Sequence, residues 1–284
     1  MKGKRWWFWA MFWMFLMTSA QDHIKVGFPS NGSLVIAGGG LLSEEIMKTF
    51  IDLAGGKDAQ IVLVPTAAGL SEYDGKWKRV LTNHGATNVI MLHTDDPKEA
   101  DTKQFTKALL NATGVWFTGG RQWRLADSYL NTKVEAALWN VLDRGGVIGG
   151  SSAGATIQGS YLVRGDSKTN QIMMGDHEKG FGFLENVAID QHVLARNRQF
   201  DLFEILEKKP ELLGIGIDES TAIMVQNGRF EVIGDSYVLL YDSSFWSSEG
   251  TDYKKPLEKN SRSFYFLKAG DRYDLNTLRV ITQK

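Results

Sequence analysis

The sequence predicts an α/β protein: a doubly wound, mostly parallel sheet with an antiparallel extension towards its C-terminal end. Three observations predict it. Short, continuously apolar runs alternate with stretches of helical periodicity through the first half of the chain, as strands buried on both faces and joined by helical crossovers do. Glycine clusters at 38–40, 119–120 and 149–154 each follow such a run. Right-handed crossovers bring them to one carboxyl edge, where sheets of this kind gather ligands. The last third changes rhythm to closely spaced strands, two of them separated by Asn227-Gly228, a strong hairpin signal.

The elements follow in order. Ser33 to Ala37 is an apolar strand ended by Gly38-Gly39-Gly40, and Leu41 to Leu53 carries apolar residues at helical spacing. Gln60 to Val64 is a second buried strand, stopped by Pro65. Helical residues around Trp77 to Leu81 precede the strand Asn88 to Leu92. A helix is expected over Asp101 to Leu110, a strand over Gly114 to Phe117, and a long helical region from Gln122 to Asp143. Gly146 to Ile148 then leads into a glycine-dense turn. Beyond it, Phe200 to Lys208 reads as helix. Gly214 to Ile217, Ala222 to Gln226, Phe230 to Ile233 and Tyr237 to Tyr241 read as the strands of the extension, and Ser244 to Ser263 as a polar loop.

With 284 residues, 43% hydrophobic and 23% charged, the chain holds a full core and has no disordered character. A formal net charge of −1 gives no reason to expect nucleic acid or an anionic membrane surface as partner. The N-terminus stands apart. Lys2, Lys4 and Arg5 precede the uncharged Trp6 to Met17, and Thr18-Ser19-Ala20 follows, which together read as a secretory signal cut before Gln21. A membrane span needs about 20 apolar residues, more than this run supplies, so an uncleaved anchor is the lesser alternative. The expected organisation is a signal peptide over 1–20 and one α/β domain over 21–284, secreted or periplasmic and free of the membrane once cut. There is no cysteine, which excludes disulfides, thiol catalysis and thiolate metal sites. The histidines are scattered with no H-E-x-x-H pattern, so neither metal nor cofactor is expected.

Gly150-Ser151-Ser152-Ala153-Gly154 fits G-x-S-x-G with Ser152 at its centre; a register centred on Ser151 would end on Ala153 instead. A nucleophile on a sharp strand-to-helix turn has strained backbone angles and close neighbours, which explains the small flanking residues. The same turn aims the N–H of Ala153 at the site, where it can stabilise an oxyanion. An ordinary glycine-rich turn is the bland alternative. Of the five histidines, His192 is the best base, because it follows the apolar run Val187 to Ile189 amid Asp190, Gln191, Arg196 and Arg198. Glu219, just after the strand Gly214 to Ile217, suits the acid that orients an imidazole, with Asp218 as competitor. Gly38-Gly39-Gly40 lacks the G-x-G-x-x-G spacing of a dinucleotide fold and reads as a tight turn.

Four motifs in order then carry a family resemblance. Phe117-Thr118-Gly119-Gly120-Arg121-Gln122, the elbow Gly150 to Ala155, Asp190-Gln191-His192 and Gly216-Ile217-Asp218-Glu219 resemble the cyanophycinase and aspartyl dipeptidase family of serine peptidases. The resemblance spans roughly Ser33 to Tyr241 and implies a class I glutamine amidotransferase-like sheet. It implies Ser152 as nucleophile, His192 as base, Glu219 as orienting acid, and an oxyanion hole from the N–H groups of Gly120 and Ala153. It places Gln122, Asp190, Gln191, Arg196 and Arg198 among substrate-contacting residues. Two positions depart from the family's pattern: Arg121 stands where an acidic residue is usual, and Asp201 where a third arginine is usual. Asp201 is expected to repel a second substrate carboxylate but to attract a substrate arginine or amine. The function so implied is a secreted serine exopeptidase acting on Asp-rich or β-aspartyl peptides, of the kind that turns cyanophycin into β-Asp-Arg dipeptides. An aspartyl or isoaspartyl dipeptidase without polymer activity, and a non-catalytic protein that captures acidic peptides, are the alternatives. The expected partners are a peptide substrate and, at most, a second copy of the chain.

Overall fold

Strand Ser33–Ala37 (β1) is buried at all five positions. Leu34 and Ile36 pack into one core while Val35 and Ala37 pack into another, so a continuously apolar run is the only pattern that satisfies both faces. The computed structural model describes residues 24–69, 75–244 and 262–282; the expected signal segment, His23 and most of the expected polar loop lie outside the described residues.

Helix Glu44–Leu53 (α1) starts at Ser43, whose hydroxyl accepts the Ile46 N–H, and it buries Ile46, Met47, Phe50 and Ile51. Full burial of side chains of this size stabilises the fold by about 1.5–3 kcal/mol each. Gln60–Val64 (β2), Lys76–Asn83 (α2), Asn88–Met91 (β3) and Pro97–Ala100 (α3) follow. The helix expected over Asp101 to Leu110 is replaced by a 3-10 segment, Phe105–Leu109. There Thr102 accepts from the Phe105 N–H, and Thr106 donates back to the carbonyls of Thr102 and Lys103. Such side-chain bonds compete with α-helical pairing.

Gly114–Phe117 (β4) leads to Gln122–Tyr129 (α4) and Lys133–Asp143 (α5). The long helical region is thus two helices. Asn131 adopts φ 59° and Thr132 caps α5 through the Val134 N–H. Val147–Ser151 (β5) passes through Ser152 into the single turn Ala153–Thr156 (α6). Gly159–Tyr161 (β6), Leu184–Gln191 (β7), Leu202–Lys208 (α7) and Leu213–Ile217 (β8) come next. Thr221–Gln226 (β9), Arg229–Gly234 (β10), Tyr237–Tyr241 (β11), Tyr265–Lys268 (β12), Arg272–Asp274 (β13) and Arg279–Val280 (β14) complete the chain. Asn227 and Gly228 both take positive φ, as the turn between β9 and β10 requires.

A nine-stranded sheet runs in the order β14-β13-β10-β9-β1-β5-β4-β2-β3. Its β1-β5-β4-β2-β3 half is parallel, and β9, β10, β13 and β14 add on antiparallel. The extension is therefore antiparallel, with one refinement. Gly214 to Ile217 and Tyr237 to Tyr241 belong to a second, five-stranded sheet, β12-β11-β8-β7-β6, where they pair antiparallel with each other and the first pairs parallel with β7. Short apolar runs look alike in either sheet; partner choice is settled by packing. One face of the large sheet is covered by α1 and α2, while the other shares a core with α4, α5 and the second sheet. α7 packs against the outer face of the second sheet. The carboxyl ends of β5, β4, β2 and β3 thus line up, with the ends of β7 and β8 meeting those of β1 and β5.

Candidate active site

The turn between β5 and α6 is built from backbone contacts too close for side chains. A Cβ on Gly150 would lie 2.4 Å from the Gly154 carbonyl oxygen, and one on Gly154 would lie 2.3 Å from that of Phe117. Between them Ser152 is held at φ 55° and ψ −112°, a conformation L-residues rarely adopt. Its N–H donates to Ala37 at 3.0 Å, and its carbonyl accepts from Ala155 and Thr156. Ser151 ends β5 with its side chain buried, so only Ser152 reaches outward from the turn.

His192 leaves the end of β7 at φ 55°, its N–H donating to Gly38 at 3.1 Å. Its Nε2 lies 2.9 Å from Ser152 Oγ and its Nδ1 2.5 Å from Glu219 Oε1. The carboxylate accepts the Nδ1 proton, which leaves the Nε2 lone pair facing the serine hydroxyl. Asp218, the competitor, is turned away: Oδ1 accepts from Leu194 and Ala195, and Oδ2 from the Ser236 hydroxyl. It fastens the chain that follows His192. The Gly38–Gly40 turn has a larger part than its spacing suggests. A Cβ on Gly39 would sit 2.3 Å from His192 Cε1, and one on Gly40 2.7 Å from Glu219 Oε2. These glycines vacate the space in which the imidazole and carboxylate meet.

Gly119 lies beside the serine, its added Cβ falling 3.3 Å from Ser152 Cβ, and Gly120 presses on the Ala67 carbonyl at φ 140°. The N–H of Ala153 opens a helix and so has no partner one turn back. Neither that N–H nor that of Gly120 is bonded by any described residue. Ala153 follows Ser152 directly and Gly120 follows the abutting Gly119, so both N–H groups belong to residues next to the serine.

Burial holds the His192 pKa below its ordinary value, and the Arg196 guanidinium lowers it further, while Glu219 pulls the other way. The imidazole is therefore neutral at neutral pH, the form a base requires. A cation beside an imidazolium destabilises the charged form, so Arg196→Gln should move the acid limb of kcat/KM to higher pH. The shift should shrink as salt is added, because Arg196 is exposed. An unmoved limb at low salt would show that Arg196 does not act on His192.

The remaining residues divide. Arg196 is exposed and Arg198 buried, and neither meets a carboxylate among the described residues. Arg198 Nη1 donates to the backbone and side-chain oxygens of Gln191. Gln122 points the other way from the helix start, its amide nitrogen donating to Val163 and Arg164 carbonyls at 2.7 and 2.9 Å. Asp190 is fully buried and gripped by Arg164, whose Nε and Nη2 meet its two oxygens at 3.0 and 3.1 Å. The same guanidinium reaches Asp201 Oδ2 at 2.5 Å. Asp201, expected to confront substrate, is a partner of Arg164, with its carboxylate 39% exposed. Arg121 binds the carbonyls of Asp166 and Thr169 and so ties down the loop after Arg164. Arg164 escaped the sequence reading; one basic residue among several in the stretch between β6 and β7 carries no motif. Among the described residues no group of three or more His, Asp or Glu side chains gathers as metal ligands.

Comparison with known proteins identifies the family. Residues 34–233 match the model of peptidase family S51. The chain is 30% identical over 257 residues to a cyanophycinase from Geminocystis herdmanii, covering 86% of this chain and 94% of the relative. It is also 30% identical over 259 residues to a cyanophycinase from Synechococcus elongatus, covering 87% and 80%. The fold matches the crystal structure of a peptidase from an acI-B1 actinobacterium, with a TM-score of 0.63 at 24% identity over 87% of this chain and 98% of that one. A putative peptidase E from Listeria monocytogenes matches at a TM-score of 0.53 and 17% identity, over 72% and 100%. The family match covers most of the chain and the cyanophycinases align with nearly all of it, so the chain belongs to peptidase family S51 and is a serine-type peptidase.

Proposed function

We propose that Ser152, His192 and Glu219 form the catalytic triad of an exported exopeptidase that hydrolyses Asp-rich or β-aspartyl peptides. The observation that carries the reading is the continuous hydrogen-bond chain from Glu219 through His192 to a serine held on a strained elbow. Ser152 Oγ attacks the scissile carbonyl while His192 takes its proton and then gives it to the leaving amine. The oxyanion rests on the N–H groups of Gly120 and Ala153, and water resolves the acyl-enzyme. Aspartate specificity is supported by Arg198, a buried guanidinium with no carboxylate partner among the described residues, and by exposed Arg196 beside it. A substrate carboxylate would supply the missing anion. Export rests on the basic head and short apolar run at the N-terminus, and N-terminal sequencing of native protein should begin at Gln21.

A serine-directed fluorophosphonate should label the native enzyme, with the label mapped to Ser152. Label on Ser151, or none on active enzyme, would overturn the assignment; a non-catalytic binder would not label at all. The second reading, a dipeptidase without polymer activity, is favoured by Arg164, which closes Asp190 off from substrate. Mass spectrometry of products from cyanophycin, β-Asp-Arg and α-Asp dipeptides separates the two.

A further inference from the structure

A cavity of about 410 Å³ lies along the carboxyl edge of the large sheet, next to the candidate oxyanion hole and outside the cluster around Arg198. Thr66, His93, Asp95, Trp123, Arg124 and Asp127 are among the residues that line it. Its link to Ser152 is short and made of backbone. Gly119 abuts Ser152, Gly120 presses on Ala67, and Arg124 Nη1 donates to the carbonyls of Ala67 and Ala68 at 3.2 and 3.0 Å. The first turn of α4 therefore faces two ways. Gln122 reaches the Val163–Arg164 backbone, towards Asp190, while Trp123 and Arg124 face the ends of β2 and β3.

Two groups in the cavity lack the partners their chemistry calls for. The Trp123 Nε1–H is buried and donates to nothing among the described residues. Arg124 meets no carboxylate there: only its Nη1 is bonded, to carbonyls, and the guanidinium lies 5.6 Å from the Trp123 ring centre. Asp127, by contrast, is paired with His177 at 2.8 Å, and Thr66 is bonded to both His93 and Tyr129. A guanidinium with no carboxylate partner at the wall of one cavity suits a single acceptor with negative charge. Asp95 also lines the cavity and disfavours a second one.

We infer that this cavity is a subsite for a carboxylate-bearing residue of the peptide, on the opposite side of the scissile bond from the residue held by Arg198. The orientation rests on the Ser152 reading above, since the cavity and Arg198 flank that serine through different strands. The carboxylate belongs either to an aspartyl side chain or to the peptide's C-terminus.

Titration calorimetry on full-length Ser152→Ala protein tests this without chemistry. The probes are alanine-based tetrapeptides with one Asp moved through each position, each paired with its Asn counterpart and made with free and amidated C-termini. At one position, Asp should bind about tenfold or more tightly than Asn. Arg124→Gln in the same background should abolish that gap, while Arg198→Gln should act at a different position. Arg124→Lys should keep part of the gap, which guards against a variant that fails to fold. If the gap follows the terminal carboxyl instead, amidation will remove it and name the other source. No gap at any position or terminus, or a gap indifferent to Arg124, overturns the inference. Fluorophosphonate labelling of the native enzyme reads the nucleophile separately. Labelling without a gap removes the subsite and leaves the triad; a gap without labelling does the reverse.

Discussion

Ser152→Ala should lower kcat by 10³ or more and leave the fold intact, with the residue of activity carried by the oxyanion donors and substrate binding. The hydroxyl is 2.9 Å from His192 Nε2, so in the proposed triad its loss removes both the attacking atom and the base's partner. Stability should hardly change, because alanine inherits the same φ of 55°. Ser152→Gly separates catalysis from strain. It should be equally inactive but more stable than Ser152→Ala by about 1 kcal/mol, since glycine occupies positive φ without a Cβ penalty. Paired urea melts and initial rates would check both statements. A Ser152→Ala enzyme that keeps more than a tenth of native kcat would leave the nucleophile to be found elsewhere.

The largest effect on stability should come from Arg164→Ala. Arg164 is 2% exposed and Asp190 fully buried, and the two face each other through paired hydrogen bonds. Removing the arginine leaves a buried carboxylate without its hydrogen-bonded counter-charge, a change that costs about 3–5 kcal/mol in comparable buried pairs. Asp190 Oδ1 also accepts the Gln191 N–H, one residue before His192, so the end of β7 should loosen with it. Arg164→Met together with Asp190→Leu should recover most of the loss, because both charges then leave the interior. Urea denaturation of the two variants decides the matter. A loss below about 1 kcal/mol for Arg164→Ala would mean that Asp190 finds other partners.

The same pair revises what Asp201 can be expected to do. As a substitute for an arginine it reads, in sequence, as a repulsive charge at the substrate. In space its carboxylate is 2.5 Å from Arg164 and 39% exposed. Placing an arginine there would set two guanidinium groups against each other, and the cost would fall on the fold as well as on specificity.

Much of the molecule follows from local pattern. Both faces of β1, β2, β4 and β5 are buried, so their apolar runs and the helical spacing between them fix the parallel half. Asn227-Gly228 fixes the hairpin between β9 and β10 because few other pairs tolerate two positive φ angles. The elbow was legible too: Gly150 and Gly154 are small because backbone lies within 2.4 Å of where a Cβ would be. The tertiary structure decided what chain neighbours cannot. Asp218 and Glu219 are adjacent carboxylates, yet one reaches the Leu194 and Ala195 amides and the other His192. Gly39 and Gly40 bear on His192 and Glu219 across more than 150 residues, so no local spacing announces them. Arg164 meets Asp190 across 26 residues. Local pattern sets which backbone states are affordable; which distant charges and donors meet is set by packing, because each buried group needs a partner wherever the fold supplies one.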